Sequence, residues 1–241
     1  MSLASARRLD FTSASDSAPP SKWLMLSEVR SISSRMRLSA SAAAAHGHDG
    51  DGRAVMLIPG FMVHASLLAR LRRTLVLAGY DAHNWGMGMN RGLRDRTLDD
   101  LIDRISLLAC RNGAPVALVG WSLGGLFARE AAKLRPDLVE RVVTLASPFS
   151  GDPRANNAWR AYERLTGRLV DDLPVGMDVS AKPPVPTVAL WSRSDGVIAP
   201  AAARGLPDER DVEMEVSCRH LDIISSPSSM SRVLEALGIL F

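Results

Sequence analysis

Cysteine is scarce in this chain. Its 241 residues include two, Cys110 and Cys218, far apart and with no CxxC spacing, which argues against a disulfide framework or a zinc knuckle and fits a reducing compartment. Long apolar runs are missing as well. Nothing approaches the roughly 18 residues a membrane span needs, and the opening MSLASARRLDFTSASDSAPP has no apolar core of the signal-peptide kind, so the expected location is cytoplasmic. Charge of one sign is also lacking. The formal net charge is +3, with lysines and arginines scattered among acids instead of forming a stripe with interleaved aromatics, so nucleic acid is not an expected partner.

What is present is ordinary globular material, 46% hydrophobic and 23% charged, enough to bury one sizeable core. Residues 1 to about 20 read as a flexible leader rich in Ser, Ala and Pro. KWLMLSEVRSISSRMRL follows, with Leu24, Val29, Ile32 and Met36 at helical intervals, and ASAAAAHGHDGDG reads as a linker. Residues 1–52 are therefore expected to form an accessory segment and 53–241 the folded domain. From Arg53 onward, short β-rich runs alternate with amphipathic helices, the pattern of a mostly parallel α/β sheet with helices on both faces. Strands are expected at 54–58, 81–85, 116–119, 141–145, 185–191 and 212–216. The clearest helix is TLDDLIDRISLLACRNG. Leu98, Leu101, Ile102, Ile105 and Leu108 form its buried stripe, Asp99 and Asp100 suit its N-terminal end, and Gly113 stops it.

The stretch VALVGWSLGGLFARE places Ser122 between Gly120 and Gly124, after a buried strand and before a helix. That is the G-x-S-x-G elbow, where glycines permit the sharp turn that lifts a serine hydroxyl into a cleft. Gly125 leaves room for the helix to approach the strands. A serine hydroxyl needs a base to take its proton and an acid to orient that base. Only His220 follows Ser122 among the five histidines, in VSCRHLDIISSP after the last expected strand. Asp195, at the end of VPTVALWSRSDG, is the preferred acid, with Asp152, Asp171, Asp172, Asp178 and Asp222 as weaker substitutes. For the oxyanion, Leu123 offers one backbone N–H. The turn at Pro59-Gly60 lets Phe61 or Met62 offer the second, Phe61 being preferred.

Taken together, GWSLGG, LIPGF, TLASPFSG, SRSDGVIAP and RHLDIISSP resemble the motifs of the α/β-hydrolase superfamily, especially its lipase and esterase-like members. The resemblance spans roughly 53–241. It implies an α/β-hydrolase fold and a cofactor-independent serine hydrolase: Ser122, Asp195 and His220 as the triad, no metal, and a small-molecule ester as substrate, lipid-like esters included. Three positions depart from the common motifs. Pro59 and Phe149 stand where many such enzymes have histidine, and Arg219 stands where glycine often precedes the base. Residues 150–184 are expected to form a short cap after the strand that follows the elbow. Met62, Trp121, Phe149 and Trp159 are the candidate pocket residues, with Tyr162, Leu165 and Met177 further cap candidates; at helical or loop spacing such residues, Trp159 included, more often serve plain packing.

Three other readings stay open at this point. An acyltransferase would use the same three residues with an acceptor other than water. HGHDGDG offers His46, His48, Asp49 and Asp51 as metal ligands but matches the HxHxDH pattern only partly. A non-catalytic binding module could use the basic stretch from Arg30 to Arg37 to touch an acidic surface.

Overall fold

The computed structural model describes residues 18–28, 47, 49–171 and 177–240. Most of the linker, including His46 and His48, and the Arg30 to Arg37 stretch lie outside them. Six strands are described: β1 (Ala54–Ile58), β2 (Asp81–Asn84), β3 (Val116–Trp121), β4 (Val139–Leu145), β5 (Thr187–Trp191) and β6 (Val212–Glu215). They form one sheet in the order β2-β1-β3-β4-β5-β6, with every pairing parallel. The central strands β1, β3 and β5 are buried along their whole length, because helices cover both faces of a parallel sheet.

Side chains alternate across these strands. Val55, Leu57, Val119 and Leu145 point to the face covered by α2 (Ala69–Leu77) and α7 (Pro227–Gly238). Met56, Ile58, Leu118 and Val142 point to the opposite face, covered by α3 (Thr97–Asn112) and α4 (Leu123–Leu134). Helix α3 buries Leu101, Ile105 and Leu108, carries Asp99 and Asp100 in its first turn, and ends on Gly113 at φ 67°, a left-handed conformation that glycine adopts cheaply.

Both sheet edges are short and polar. Strand β2 carries Asp81, which meets His83 Nε2 at 2.8 Å and Asn112 Nδ2 at 3.4 Å. Strand β6 carries Glu213, 3.9 Å from Arg204 and 3.8 Å from Arg210, and Glu215, 3.1 Å from Arg193.

Three further α-helices are described, α1 (Lys22–Ser27), α5 (Trp159–Thr166) and α6 (Pro200–Arg204), besides short 3-10 turns at Ala65–Leu68 and Pro136–Leu138. Helix α5 belongs to the segment after β4 and ends on Gly167 at φ 70°. Among the described residues no helix is long and apolar enough to cross a membrane.

Candidate active site

Ser122 caps α4 at the C-terminal end of β3 with φ 52° and ψ −122°. Such a conformation costs a non-glycine residue about 1–3 kcal/mol and persists only where its surroundings enforce it. Here the Ser122 N–H donates to the Leu145 carbonyl at 2.8 Å, and its own carbonyl accepts from Gly125 N–H at 3.0 Å. The flanking glycines are sterically required. A Cβ on Gly120 would lie 2.5 Å from Gly125 Cα, and one on Gly124 would lie 2.6 Å from the Pro59 carbonyl oxygen. Helix α4 thus starts against the end of β1, with Ser122 at the rim between them.

Asp195 follows β5 and is 2% exposed. One carboxylate oxygen accepts the N–H groups of Val197 and Ile198, each at 2.7 Å. The other meets His220 Nδ1 at 2.8 Å. This leaves Nε2 as the ring nitrogen for proton exchange. The His220 ring also lies 5.5 Å from that of Trp121, the residue before Ser122. Ser192 Oγ donates to the Cys218 carbonyl at 2.5 Å, tying the Asp195 loop to the His220 loop. Of the substitutes for the acid, Asp152 accepts from Arg154 N–H, Asp171 pairs with Arg154 and Asp178 accepts from Ser180, whereas Asp172 lies outside the described residues.

Burial pulls the His220 pKa down, but the charge and hydrogen bond of Asp195, helped by the charge of Glu28, outweigh it and raise the pKa above its ordinary value. Burial pushes the neighbouring Cys218 thiol up to about 12, which keeps it neutral.

Leu123 is the first residue of α4, so its N–H has no intrahelical acceptor. The Gly60 turn lies beside it: a Cβ there would sit 3.3 Å from Ser122 Cβ. Phe61 N–H makes no hydrogen bond among the described residues, whereas Met62 N–H is taken by the Asn90 carbonyl at 2.7 Å. Of the two residues considered for the second oxyanion donor, Phe61 is the one with a free N–H. Sequence reasoning missed Asn90. Fully buried, it donates from Nδ2 to the Pro59 carbonyl at 2.7 Å, accepts Gly92 N–H at 3.0 Å and donates its own N–H to the Val63 carbonyl at 3.0 Å. It braces the loop on both sides of Phe61. The only trace in the sequence is its place in the glycine-rich run GMGMNRG.

Ser122 and Leu123 border a cavity of about 340 Å³, whose mostly apolar walls include Phe61, Leu126, Phe149, Trp159, Tyr162 and Met177. Residues of the 150–184 segment supply much of this wall, and Tyr162 meets Phe61 with ring centroids 5.1 Å apart. Two expected pocket residues are placed elsewhere. Met62 is 45% exposed and held by Asn90, and Trp121 is buried against His220; neither lines the cavity. Leu165 is 61% exposed and is likewise not part of it. Arg129 of α4, also missed in the sequence, is 1% exposed and donates to the carbonyls of Val179, Ser180, Ala181 and Glu209. Its guanidinium lies 4.1 Å from the Phe149 ring centroid. The segment's return leg is thereby pinned to the sheet domain, and Phe149 serves as the platform for that anchor.

The parallel sheet, the strained serine between β3 and α4, and Asp195 and His220 on the loops after β5 and β6 have the layout of an α/β-hydrolase. More narrowly, the chain belongs to the family described as serine aminopeptidase, S33, whose model matches residues 51–204. A curated relative, pimeloyl-[acyl-carrier protein] methyl ester esterase of Photobacterium profundum, is 32% identical over 114 residues, which cover 46% of this chain and 43% of that protein. The chain thus matches less than half of that relative's length. Among solved structures, a probable hydrolytic enzyme from Pseudomonas aeruginosa PAO1 superposes with a TM-score of 0.58 at 18% identity, covering 80% of this chain and 87% of that one. A monoacylglycerol lipase from Paleococcus ferrophilus gives 0.53 at 20% identity, covering 79% and 95%. These structural likenesses speak to the fold.

Proposed function

We propose that the protein is a serine hydrolase of small carboxylic esters with an apolar acyl group. The observation that carries this reading is the Asp195–His220 contact of 2.8 Å in loops after β5 and β6, at the same C-terminal end of the parallel sheet where the strained Ser122 follows β3 and borders the apolar cavity. In this reading Ser122 Oγ attacks the ester carbonyl while His220 Nε2 takes its proton, and Asp195 holds the ring through Nδ1. The N–H groups of Phe61 and Leu123 stabilise the oxyanion. His220 then protonates the leaving alkoxide, and a water deprotonated by the same nitrogen cleaves the acyl-enzyme. The methyl ester esterase activity in the partial relative's name is consistent with an ester substrate.

Labelling with a fluorophosphonate probe, together with hydrolysis of a p-nitrophenyl ester series of increasing chain length, tests the reading. Wild type is expected to label and to turn over esters, and both activities are expected to vanish in Ser122→Ala and His220→Ala. A folded wild type that neither labels nor cleaves any ester in the series would overturn it.

A further inference from the structure

Helix α1 lies outside the stretch matched by the family model, yet it ends inside the loops that carry the acid and the base. The Pro20 carbonyl before it accepts from Asn157 Nδ2 at 2.9 Å. Ser27 Oγ accepts from Arg219 Nε at 3.1 Å, which gives a role to the arginine found where glycine often precedes the base. The next residue, Glu28, is 5% exposed. Its Oε1 accepts Gly196 N–H and His220 N–H, each at 2.9 Å, and its Oε2 accepts Leu221 N–H at 3.1 Å. Gly196 permits this approach, since a Cβ there would lie 2.5 Å from the Leu24 carbonyl oxygen.

We propose that Glu28 is a positioning residue for the Asp195–His220 pair, supplied by the N-terminal segment. The proposal rests on the Ser-His-Asp reading above. One carboxylate grips the residue that follows the acid and the base itself, and so sets the spacing between two loops that approach from different strands. Asp195 cannot do this, because its oxygens are already committed to Val197, Ile198 and the imidazole. The Ser192–Cys218 bond ties the same loops one step further from the ring. Burying a carboxylate is costly unless several N–H groups meet it, and three do here. Glu28 is therefore an exacting spacer: removing it strands buried N–H donors at His220 and Gly196 and frees the base loop to drift.

The test uses full-length Glu28→Ala and Glu28→Gln, with Trp23→Ser on the outer face of α1 as control, Trp23 being 84% exposed. Steady-state kinetics on a p-nitrophenyl ester are read alongside the NMR signals of the His220 imidazole. Because small displacements of a catalytic group cost rate far more than binding, Glu28→Ala is expected to lower kcat about 100-fold with KM within about threefold. Glu28→Gln keeps one acceptor oxygen and should lose about tenfold, while Trp23→Ser should stay within about twofold. The imidazole Nδ1 proton should be sharp and downfield in wild type and exchange-broadened in Glu28→Ala.

A folded Glu28→Ala with wild-type kcat and unchanged His220 signals would overturn the proposal, even if its melting temperature fell. If Glu28→Ala does not fold, Glu28→Gln decides by the same two readouts. If wild type proves inactive, the Ser122 reading fails, and the imidazole spectrum alone decides whether Glu28 orders the ring.

Discussion

Asn90→Ala isolates the loop that would bind the oxyanion. The substitution removes the bonds from Asn90 Nδ2 to the Pro59 carbonyl and from Gly92 N–H to Asn90 Oδ1, at a site with no solvent exposure. Each buried polar group left without a partner costs about 1–3 kcal/mol; two such groups give about 2–4 kcal/mol once a water partly fills the space. For a domain of this size that corresponds to roughly 5–15 °C in melting temperature. The backbone bond from Met62 N–H to the Asn90 carbonyl survives, so the loop should loosen without unfolding. Losing an oxyanion donor outright costs about 100- to 1,000-fold in kcat, so a displaced Phe61 N–H should cost about 10- to 100-fold with little change in KM. The assays are differential scanning calorimetry and steady-state ester hydrolysis. A variant that melts within about 2 °C of wild type and keeps more than about half its kcat would refute the bracing role, because neither stranded group would then carry the expected penalty.

Two further outcomes follow from the site. In the proposed mechanism the base works in its neutral form, and anions near His220 stabilise the charged form. Turnover should therefore rise with pH along a limb lying above the ordinary histidine value of 6.5, and Glu28→Gln should move that limb to lower pH in a kcat/KM profile; a limb that stays put would remove Glu28 from the electrostatics of the ring. Gly124→Ala should abolish activity and lower the melting temperature sharply, since the added methyl meets the backbone of Ile58 and Pro59 and not a flexible side chain. A soluble, active Gly124→Ala would mean that the elbow can relax.

The parts legible in the sequence are those whose cause is local. The buried central strands read as unbroken apolar runs, and the elbow shows as two glycines around a serine. Asp195 and His220, the candidate acid and base, occur in order on loops after strands. Boundaries differ where a neighbour decides them. Strand β2 ends at Asn84 and not Trp85, β3 runs on to Trp121 against Leu145, and β5 begins after Pro186, which has no N–H to add to a ladder. In the 1–52 stretch helical spacing marks a helix from Lys22 onward, where α1 lies, but the docking of α1 against the Asp195 and His220 loops leaves no mark in the sequence. Glu28, Asn90 and Arg129 stay hidden for the same reason. Glu28 meets partners 168 and more residues away, Arg129 reaches carbonyls 50 to 80 residues away, and Asn90 bonds Pro59 across 31. A contact between one side chain and a distant backbone group imposes no period and no spacing. Met62 and Trp121 show the converse: adjacency to a motif in sequence says nothing about which side of the loop a side chain takes.

The edges of the sheet carry a consequence for how this chain meets its own copies. A parallel sheet must bring distant segments together before its strands pair, which leaves partly folded chains with unpaired strands for longer than local folds do. The strands at either edge are four residues each, bearing aspartate and histidine on one and two arginine-paired glutamates on the other. Another chain adding itself there would have to strip water from those charges for a ladder only four residues long. Self-association through continued strand pairing, the usual hazard of an open sheet, is discouraged by the side chains of β2 and β6 themselves.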